Sequence, residues 1–251
     1  MFRPPSIYNI EMYLTPFEYR QFYRRNRPHI HPPDSTLFIT FRLAGSIAKA
    51  VIDKYRFERK LRDDKLASAR SDDQIADADV AMLEFHRNWF RRFDEILDRG
   101  DRGPMWLGEP RIREIIYKKL VEDDGPKYRL DAFCLMSNHV HIVFKPNLSE
   151  RNLVEKRRGG RPLFVSEQDT LAQIMQSLKG GTARQCNLIL GRSGSFWETE
   201  SFDHVIRDDT GFARAVKYTL NNPVKAGLVT NWRKWPGTYV APRLLEREWM
   251  P

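Results

Sequence analysis

The most informative part of the chain is Asp131-Ala-Phe-Cys-Leu-Met-Ser-Asn-His-Val-His-Ile-Val-Phe144. Its apolar first half predicts a buried strand, Ser137-Asn138 predicts a tight turn, and a second strand opens with His139 and His141. Residues two apart on a strand point to the same face, so both imidazoles project side by side and Val140 faces the opposite layer. This arrangement is favourable for holding a divalent cation.

A second pair of candidate residues lies in Asp209-Thr-Gly-Phe-Ala-Arg-Ala-Val-Lys-Tyr-Thr-Leu-Asn-Asn-Pro223. The pattern predicts a helix that is ended by Pro223, and on it Tyr218 and Asn222 lie four residues apart on one face. Cleavage of a phosphodiester needs a nucleophile and positive charge near the transition state. Tyr218 beside a cation held by the histidines, with the Asn222 amide oxygen as a third ligand, predicts an endonuclease that cuts DNA with a tyrosine.

Attack by Tyr218 requires activation, because a free tyrosine has a pKa near 10. The cation, Lys217 and Arg214 are the candidates, and the residues alone leave the choice open. A tyrosine suits strand transfer better than water does, since a covalent phosphotyrosine conserves the bond energy for later rejoining.

Composition indicates the kind of partner. The chain has 251 residues with 42 Lys plus Arg against 33 Asp plus Glu, a formal charge of +9 and an estimated pI near 9.6. This excess favours a polyanionic partner, with nucleic acid first. Cys134 and Cys186 form neither a disulfide framework nor a metal-type spacing. With no signal peptide and no apolar run of membrane-spanning length, we expect a protein of the cytoplasm, associated with the nucleoid and not with a membrane.

The order of predicted elements gives the domain organisation. Residues 1–34 are expected to form a basic N-terminal arm, 35–240 one domain, and 241–251 a C-terminal tail. Within the domain we expect a helical insertion at 46–105, directly after the first strand, with a bend or loop at about 63–79. The predicted strands and helices outside the insertion are strand 35–43, helix 111–121, strands 128–136 and 139–145, helix 167–190, an extended segment 195–206 and the Tyr218 helix.

Strand, helix, strand, strand, helix, strand is the order of an α+β, ferredoxin-like split βαβ antiparallel sheet. In this layout we expect the helices to cover one face of the sheet. The Tyr218 helix must then pack beside the histidine strand for the two residue pairs to meet.

The chain resembles the REP-associated tyrosine transposases, single-tyrosine members of the HUH endonucleases. The resemblance covers most of the chain, and its main motifs are Phe38-Ile-Thr-Phe-Arg-Leu43, Gly103-Pro-Met-Trp-Leu107, Met136-Ser-Asn-His-Val-His141, Gly194-Ser-Phe-Trp-Glu198 and Tyr218-Thr-Leu-Asn-Asn-Pro-Val-Lys-Ala-Gly-Leu228. Ser137 stands where the family usually has proline, a position that shapes the turn.

The resemblance implies the HUH endonuclease fold and a role for each candidate. His139, His141 and Asn222 would be metal ligands, Tyr218 the nucleophile, and the cofactor Mg²⁺ or Mn²⁺. The substrate would be single-stranded or hairpin-forming repeat DNA, and the protein a monomer or a homodimer.

Candidate phosphate contacts are the basic residues near these motifs and in the arm. They are Arg24, Arg25, Arg27, Lys179, Arg184, Arg207, Arg214 and Lys217. Two alternatives to a transposase stay open: a protein that binds repeat hairpins without cutting them, and a nickase of plasmid or replication type. Those nickases commonly carry a third histidine or a second tyrosine.

Overall fold

The computed structural model describes residues 35–147, 156–158, 161–163 and 167–251. The predicted arm, including Arg24, Arg25 and Arg27, lies outside the described residues. The strands are β1 (Thr36–Leu43), β2 (Tyr128–Leu135), β3 (His139–Pro146), β4 (Lys156–Arg158), β5 (Arg161–Leu163), β6 (Trp197–Ile206) and β7 (Thr238–Val240). The α-helices are α1 (Lys49–Ser68), α2 (Asp72–Arg99), α3 (Pro110–Glu122), α4 (Glu167–Ile189) and α5 (Asp209–Lys225).

The main sheet has five strands in the order β6-β1-β3-β2-β7, and every pairing is antiparallel. Without the short edge strand β7, the order is that of the ferredoxin-like sheet, with the fourth strand beside the first and the third between the first and second. The predicted α+β fold is therefore confirmed. β4 and β5 form a separate two-stranded sheet.

Helices pack on both faces of the sheet, so the expectation of a single covered face is wrong. On one face, residues of α3 and α4 such as Ile116 and Leu178 join strand residues such as Ile142 in one apolar core. On the other face, α2 and α5 join Phe38 and Phe202 in a second core. Strands buried on both faces explain why β2 and β3 carry almost continuous apolar runs.

The second core holds α2 against the sheet through aromatic contacts. The ring centroids of Phe93 and Phe202 lie 5.3 Å apart, and those of Phe38 and Phe90 lie 6.1 Å apart. The helical segment follows the first strand, as predicted, but α2 is a layer of the main core and not an appendage to it. Burial of aromatic side chains at this junction stabilises the domain.

The helical segment is a hairpin with a much shorter bend than the 63–79 region we expected. α1 ends at Ser68, and the Ser71 hydroxyl accepts a hydrogen bond from the Gln74 N–H at the start of α2. The polar 63–79 stretch has few large apolar residues because it lies at the exposed tip, and it is helical except at residues 69–71. At the base of the hairpin Gly45 and Gly103 meet: a Cβ on Gly103 would lie 2.7 Å from the Gly45 carbonyl oxygen.

Helix α5 begins where predicted but does not end at Pro223. The Asp208 carboxylate accepts a hydrogen bond from the Gly211 N–H, which caps the first turn. Pro223 lies inside the last turn, and the helix continues to Lys225 before the Ala226 N–H bonds to the Asn222 carbonyl. A proline this close to the end disturbs little of the helix, because few hydrogen bonds remain beyond it.

Candidate metal and tyrosine site

His139 and His141 project from β3 into the core beneath α2 and α5, and both are fully buried. Val140, between them, packs in the opposite core, as predicted. The two Nε2 atoms lie 3.0 Å apart. Two neighbouring ligands of an octahedral ion, each about 2.1 Å from it, are separated by about 3.0 Å. The spacing of the imidazoles therefore fits a shared divalent cation.

The other nitrogen of each imidazole is held by a neighbouring side chain. His139 Nδ1 lies 2.7 Å from Asn138 Oδ1, and His141 Nδ1 lies 2.8 Å from the Thr40 hydroxyl. Thr40 is directly opposite His141 in the β1–β3 register. A partner that engages Nδ1 fixes the ring orientation and leaves the Nε2 lone pair for a metal ion. Both rings are thus oriented toward one point.

Two carboxylates from α2 complete one side of the site. Asp94 Oδ1 lies 3.4 Å from His141 Nε2, and Asp98 Oδ1 lies 3.9 Å from His139 Nε2. One ligand atom from each of Asp94, His139 and His141 falls within 4.8 Å of the others. Two imidazoles and a carboxylate with further positions open are a common donor set for divalent metals.

Lys225, at the end of α5, bridges these carboxylates. Its ammonium donates a hydrogen bond to Asp94 Oδ2 and lies 2.9 Å from Asp98 Oδ2. The lysine side chain is 46 % exposed, whereas those of Asp94 and Asp98 are 3 % and 9 % exposed. Lys225 therefore separates the acidic side of the site from solvent.

Tyr218 lies against the histidine pair on the α5 side. Its ring centroid is 5.4 Å from that of His141 and 5.8 Å from that of Phe38. The Lys225 ammonium lies 5.4 Å from the centroid of the Tyr218 ring. The structure thus brings the predicted nucleophile and the predicted ligands together, and the cation next to the tyrosine is Lys225. Lys217 and Arg214, the candidates from sequence, are both exposed on α5.

Asn222 lies one turn beyond Tyr218 on α5 and is fully buried. Neither its Oδ1 nor its Nδ2 has a hydrogen-bond partner among the described residues. A buried amide without partners is costly, at about 1–3 kcal/mol for each group. An ion bound by Oδ1 would offset part of that cost, so the Asn222 environment fits the ligand role.

The electrostatics of the site suit metal binding. Burial, and then the nearby His141, lower the pKa of His139 well below its ordinary value, which keeps the imidazole neutral. Burial acts to raise the pKa of Asp94, but the contacts with His141 and Lys225 outweigh it and lower that pKa. Burial, followed by the charge of Asp94, raises the pKa of Asp98 to about 6.

The predicted phosphate contacts differ in their surroundings. Lys179 donates hydrogen bonds to the Glu198 and Thr199 carbonyls and to the Ser201 hydroxyl, so its ammonium anchors α4 to β6. Burial lowers the pKa of Lys179 to about 8. Arg184 is exposed, and Arg207 lines a cavity of about 430 Å³ beside the start of α5. Contacts between these basic residues and DNA remain predictions.

Sequence reasoning missed Asp94, Asp98, Thr40 and the hydrogen bond of Asn138. The two aspartates lie four apart in Phe93-Asp-Glu-Ile-Leu-Asp-Arg-Gly100, and on a helix that spacing puts both on one face. That pattern was readable. Its contact with β3 was not, because charged residues of a helix are most often solvated.

Fold and site together define an α+β protein with a candidate metal and tyrosine centre on one face of a ferredoxin-like sheet. No family model matches the chain. It is 26% identical over 105 residues to a "Putative REP-associated tyrosine transposase" of Haemophilus influenzae, covering 42% of this chain and 54% of the relative. An "Uncharacterized protein" of the same organism is also 26% identical over 105 residues, covering 39% and 56%.

The chain thus spans about half the length of the curated relatives it matches. A solved structure, described as "Structure of the REP associates tyrosine transposase bound to a REP hairpin", is similar over 86% of this chain and 82% of the other, with 14% identity and a TM-score of 0.39. The resemblance to REP-associated tyrosine transposases is confirmed by the curated relative that carries this name. None of the helices within the described ranges is long and apolar enough to cross a membrane.

Proposed function

We propose that this protein is a metal-dependent single-strand DNA endonuclease and strand transferase, a transposase that acts on repeat hairpin DNA through a covalent phosphotyrosine. The observation that carries the proposal is the junction of two elements. The Nε2 atoms of His139 and His141 converge at 3.0 Å, and the Tyr218 ring packs 5.4 Å from that of His141. The curated relative supports the same class of protein.

The chemistry assigned to Tyr218 is transesterification. Its oxygen attacks the phosphorus of the scissile phosphodiester and a new P–O bond to tyrosine forms. The P–O bond to one deoxyribose breaks, and the leaving sugar oxygen takes up a proton that balances the one lost by the tyrosine hydroxyl. Attack by a sugar hydroxyl on the phosphotyrosine reverses these steps and joins a strand, so neither direction consumes an outside source of energy.

The residues proposed to hold the cation are His139, His141 and Asn222, together with Asp94. A bound divalent ion would polarise a non-bridging oxygen of the phosphate and neutralise developing negative charge. Mg²⁺ prefers oxygen ligands, whereas Mn²⁺ accepts both imidazole and carboxylate. The two imidazoles therefore favour Mn²⁺ of the two cations. The buried Thr40 and Asn138 would orient the two imidazoles.

The test is Tyr218→Phe, which removes one hydroxyl. With a labelled hairpin oligonucleotide and Mn²⁺, we expect the native chain to form an SDS-resistant protein–DNA adduct, and the variant to form none. Cleavage by the variant should fall to background while hairpin affinity persists. Chelation of the metal should abolish the adduct in the native chain as well.

Three outcomes would contradict this proposal in different ways. If an adduct persisted in Tyr218→Phe and mapped to another tyrosine such as Tyr128 or Tyr239, that tyrosine would be the nucleophile. Cleavage by the variant without an adduct would indicate a hydrolytic nuclease. Binding of the hairpin by the native chain without cleavage would leave a repeat-binding protein. Nucleoid association and the monomeric or dimeric state belong to the same proposal.

A further inference from the structure

Lys225 already neutralises the side of the site that a metal ion would occupy. Its ammonium contacts Asp94 through Oδ2, the partner oxygen of the Oδ1 that faces His141. It also lies 2.9 Å from Asp98. Asp94 Oδ1 has no hydrogen-bond partner within the described part of the chain. The same two carboxylates thus contact the Lys225 ammonium and also face the imidazoles.

A divalent ion and the Lys225 ammonium are poorly compatible at these carboxylates. An ion held by Asp94, His139 and His141 would carry two positive charges. Only the Asp94 carboxylate would separate it from the ammonium. Like charges at such separations repel strongly where water is scarce, and Asp94 is almost fully buried. Lys225 has a route out, because its side chain is 46 % exposed and extends from the last residue of α5.

We propose that Lys225 is an exchangeable cation: it occupies the acidic side of the site until a divalent metal replaces it, and its released ammonium then contacts the phosphate that Tyr218 attacks. This inference rests on the proposed function. Lys225 lies seven residues after Tyr218 on the same helix face, and its ammonium is 5.4 Å from the tyrosine ring. A phosphate within reach of the Tyr218 oxygen is therefore within reach of this lysine.

The first test is the affinity of the full chain for Mn²⁺, measured by titration calorimetry without DNA. Lys225→Met removes the competing charge and keeps most of the side-chain length, so we expect Mn²⁺ to bind about tenfold more tightly than to the native chain. If Lys225 served only to orient Asp94, the variant would bind Mn²⁺ more weakly. Weaker or unchanged affinity overturns the proposal.

Lys118→Met is the matched control. Lys118 also pairs with a carboxylate, Glu114, four residues away, but on the exposed face of α3. Its replacement should leave Mn²⁺ affinity unchanged. Thermal melts add a second reading: without metal, Lys225→Met should melt below the native chain, and the rise on adding Mn²⁺ should be larger. Lys225→Gln, which retains a hydrogen-bond donor without charge, gives the same comparison should the methionine variant fold poorly.

The second test concerns the released ammonium. In the Tyr218→Phe background, which prevents cleavage, hairpin affinity is measured against salt with and without Mn²⁺. One phosphate contact contributes about 0.7 to the slope for a single strand. With Mn²⁺, Lys225→Met should therefore flatten the slope by about 0.7, and without Mn²⁺ it should change nothing. If Lys225→Met changed the salt slope by the same amount with and without Mn²⁺, or by nothing in either condition, the phosphate contact would be contradicted.

The outcomes separate this inference from the proposed function. Absence of Mn²⁺ binding to the native chain overturns both the metal site and the cation exchange. An adduct retained by Tyr218→Phe would rule out Tyr218 as the nucleophile. The competition between Lys225 and Mn²⁺ could still be measured. Tight Mn²⁺ binding and an intact adduct, together with weaker binding by Lys225→Met, overturn the exchange alone.

Discussion

Thr40 and Asn138 have a larger part in the site than their residue types suggest. The Thr40 hydroxyl holds His141 at Nδ1, and the Asn138 amide holds His139 while its Nδ2 donates to the Leu97 carbonyl of α2. Asn138 therefore joins the histidine strand to the helix that supplies the carboxylates. In the proposed metal site each would be a positioning residue, since it contacts an imidazole and would not contact the metal.

Thr40→Val should weaken Mn²⁺ binding roughly 10- to 100-fold, the usual cost of losing a partner behind a histidine ligand. Valine preserves the volume but leaves His141 Nδ1 without its hydroxyl partner. The measurement is calorimetric titration with Mn²⁺. Thr182→Val is the control, because Thr182 is equally buried but bonds Trp197 and the Leu178 carbonyl in the other core. Similar Mn²⁺ affinities for the two variants would contradict the positioning role.

The buried carboxyl of Asp203 should make the stability of the folded protein depend on pH. Asp203 lies on β6 on the face toward α3 and α4, and burial raises the pKa of its carboxyl from 3.8 to about 8. The folded state then retains a proton that the unfolded chain has lost. Stability from this group is complete below about pH 4 and is lost as pH rises to about 8, at about 1.4 kcal/mol for each pKa unit.

Asp203→Asn, neutral at every pH, should flatten the decline in melting temperature between pH 4 and pH 8 relative to the native chain. Asp208→Asn serves as the control, since Asp208 is exposed and asparagine caps a helix equally well. Equal changes in melting temperature between pH 4 and pH 8 for the native chain and for Asp203→Asn would contradict the assignment.

The sequence allowed the β3 and α5 residues of the candidate site to be predicted, but not the aspartates of α2. His139 and His141 were accessible because a two-residue period fixes the face, and Tyr218 with Asn222 because a four-residue spacing fixes the helix side. Asp94 required knowing which face of a charged helix meets the sheet. That is set by the aromatic contacts of Phe90 and Phe93, which pair with residues far away in sequence.

At the scale of elements, the helical hairpin is the part that departs most from expectation. Its place after β1 was predicted. The predicted bounds of the domain, 35–240, and of the insertion, 46–105, remain predictions. The contribution of the hairpin to the site was not foreseen, because a charged helical segment after a strand suggests a peripheral addition. α2 brings carboxylates into the core near its own C-terminus, where negative charge is unfavourable, and Lys225 offsets them.

Replacement of residues 46–102 by a short glycine and serine linker tests that contribution. The backbone at Gly45 and Gly103 is already in contact, so the linker need not distort the sheet. We expect the shortened chain to lose Mn²⁺ binding, and to lose solubility because Phe38 and Phe202 become exposed. Calorimetry and solubility during expression are the measurements.

The full chain with Asp94→Asn and Asp98→Asn separates the two effects, because it keeps the packing and removes both carboxylates. It should remain soluble and lose most of its Mn²⁺ affinity. Native-like Mn²⁺ affinity in the shortened chain would mean that the imidazoles and α5 suffice.

For the whole molecule, the proposed function gives separate roles to the charge of +9 and to the acidic site. Under the proposed function, the basic residues would attract DNA over several ångströms, whereas Asp94 and Asp98 would act locally on a small cation. Replacing Arg24, Arg25 and Arg27 by alanine should therefore reduce the salt slope of hairpin binding by about 2, or about 0.7 for each lost contact with a single strand. Mn²⁺ affinity should not change.

The control for that experiment removes an equal charge from exposed positions elsewhere, at Arg70, Arg111 and Lys118. Hairpin affinity is measured between low and moderate salt for all three chains. A slope that falls equally in both variants would indicate general attraction and not contact by the arm.

The meeting of Gly45 and Gly103 also bears on the order of folding. β1 and β3 must pair across a long separation, since Thr40 and His141 are 101 residues apart. The α1–α2 hairpin forms from local contacts, and once its two ends touch, it bypasses more than half of those residues. The remaining loop closes at a smaller entropic cost, by about 0.6 kcal/mol for each halving of length. Early formation of the hairpin would therefore speed the pairing of the central strands, so the segment that completes the site also shortens the search for the fold.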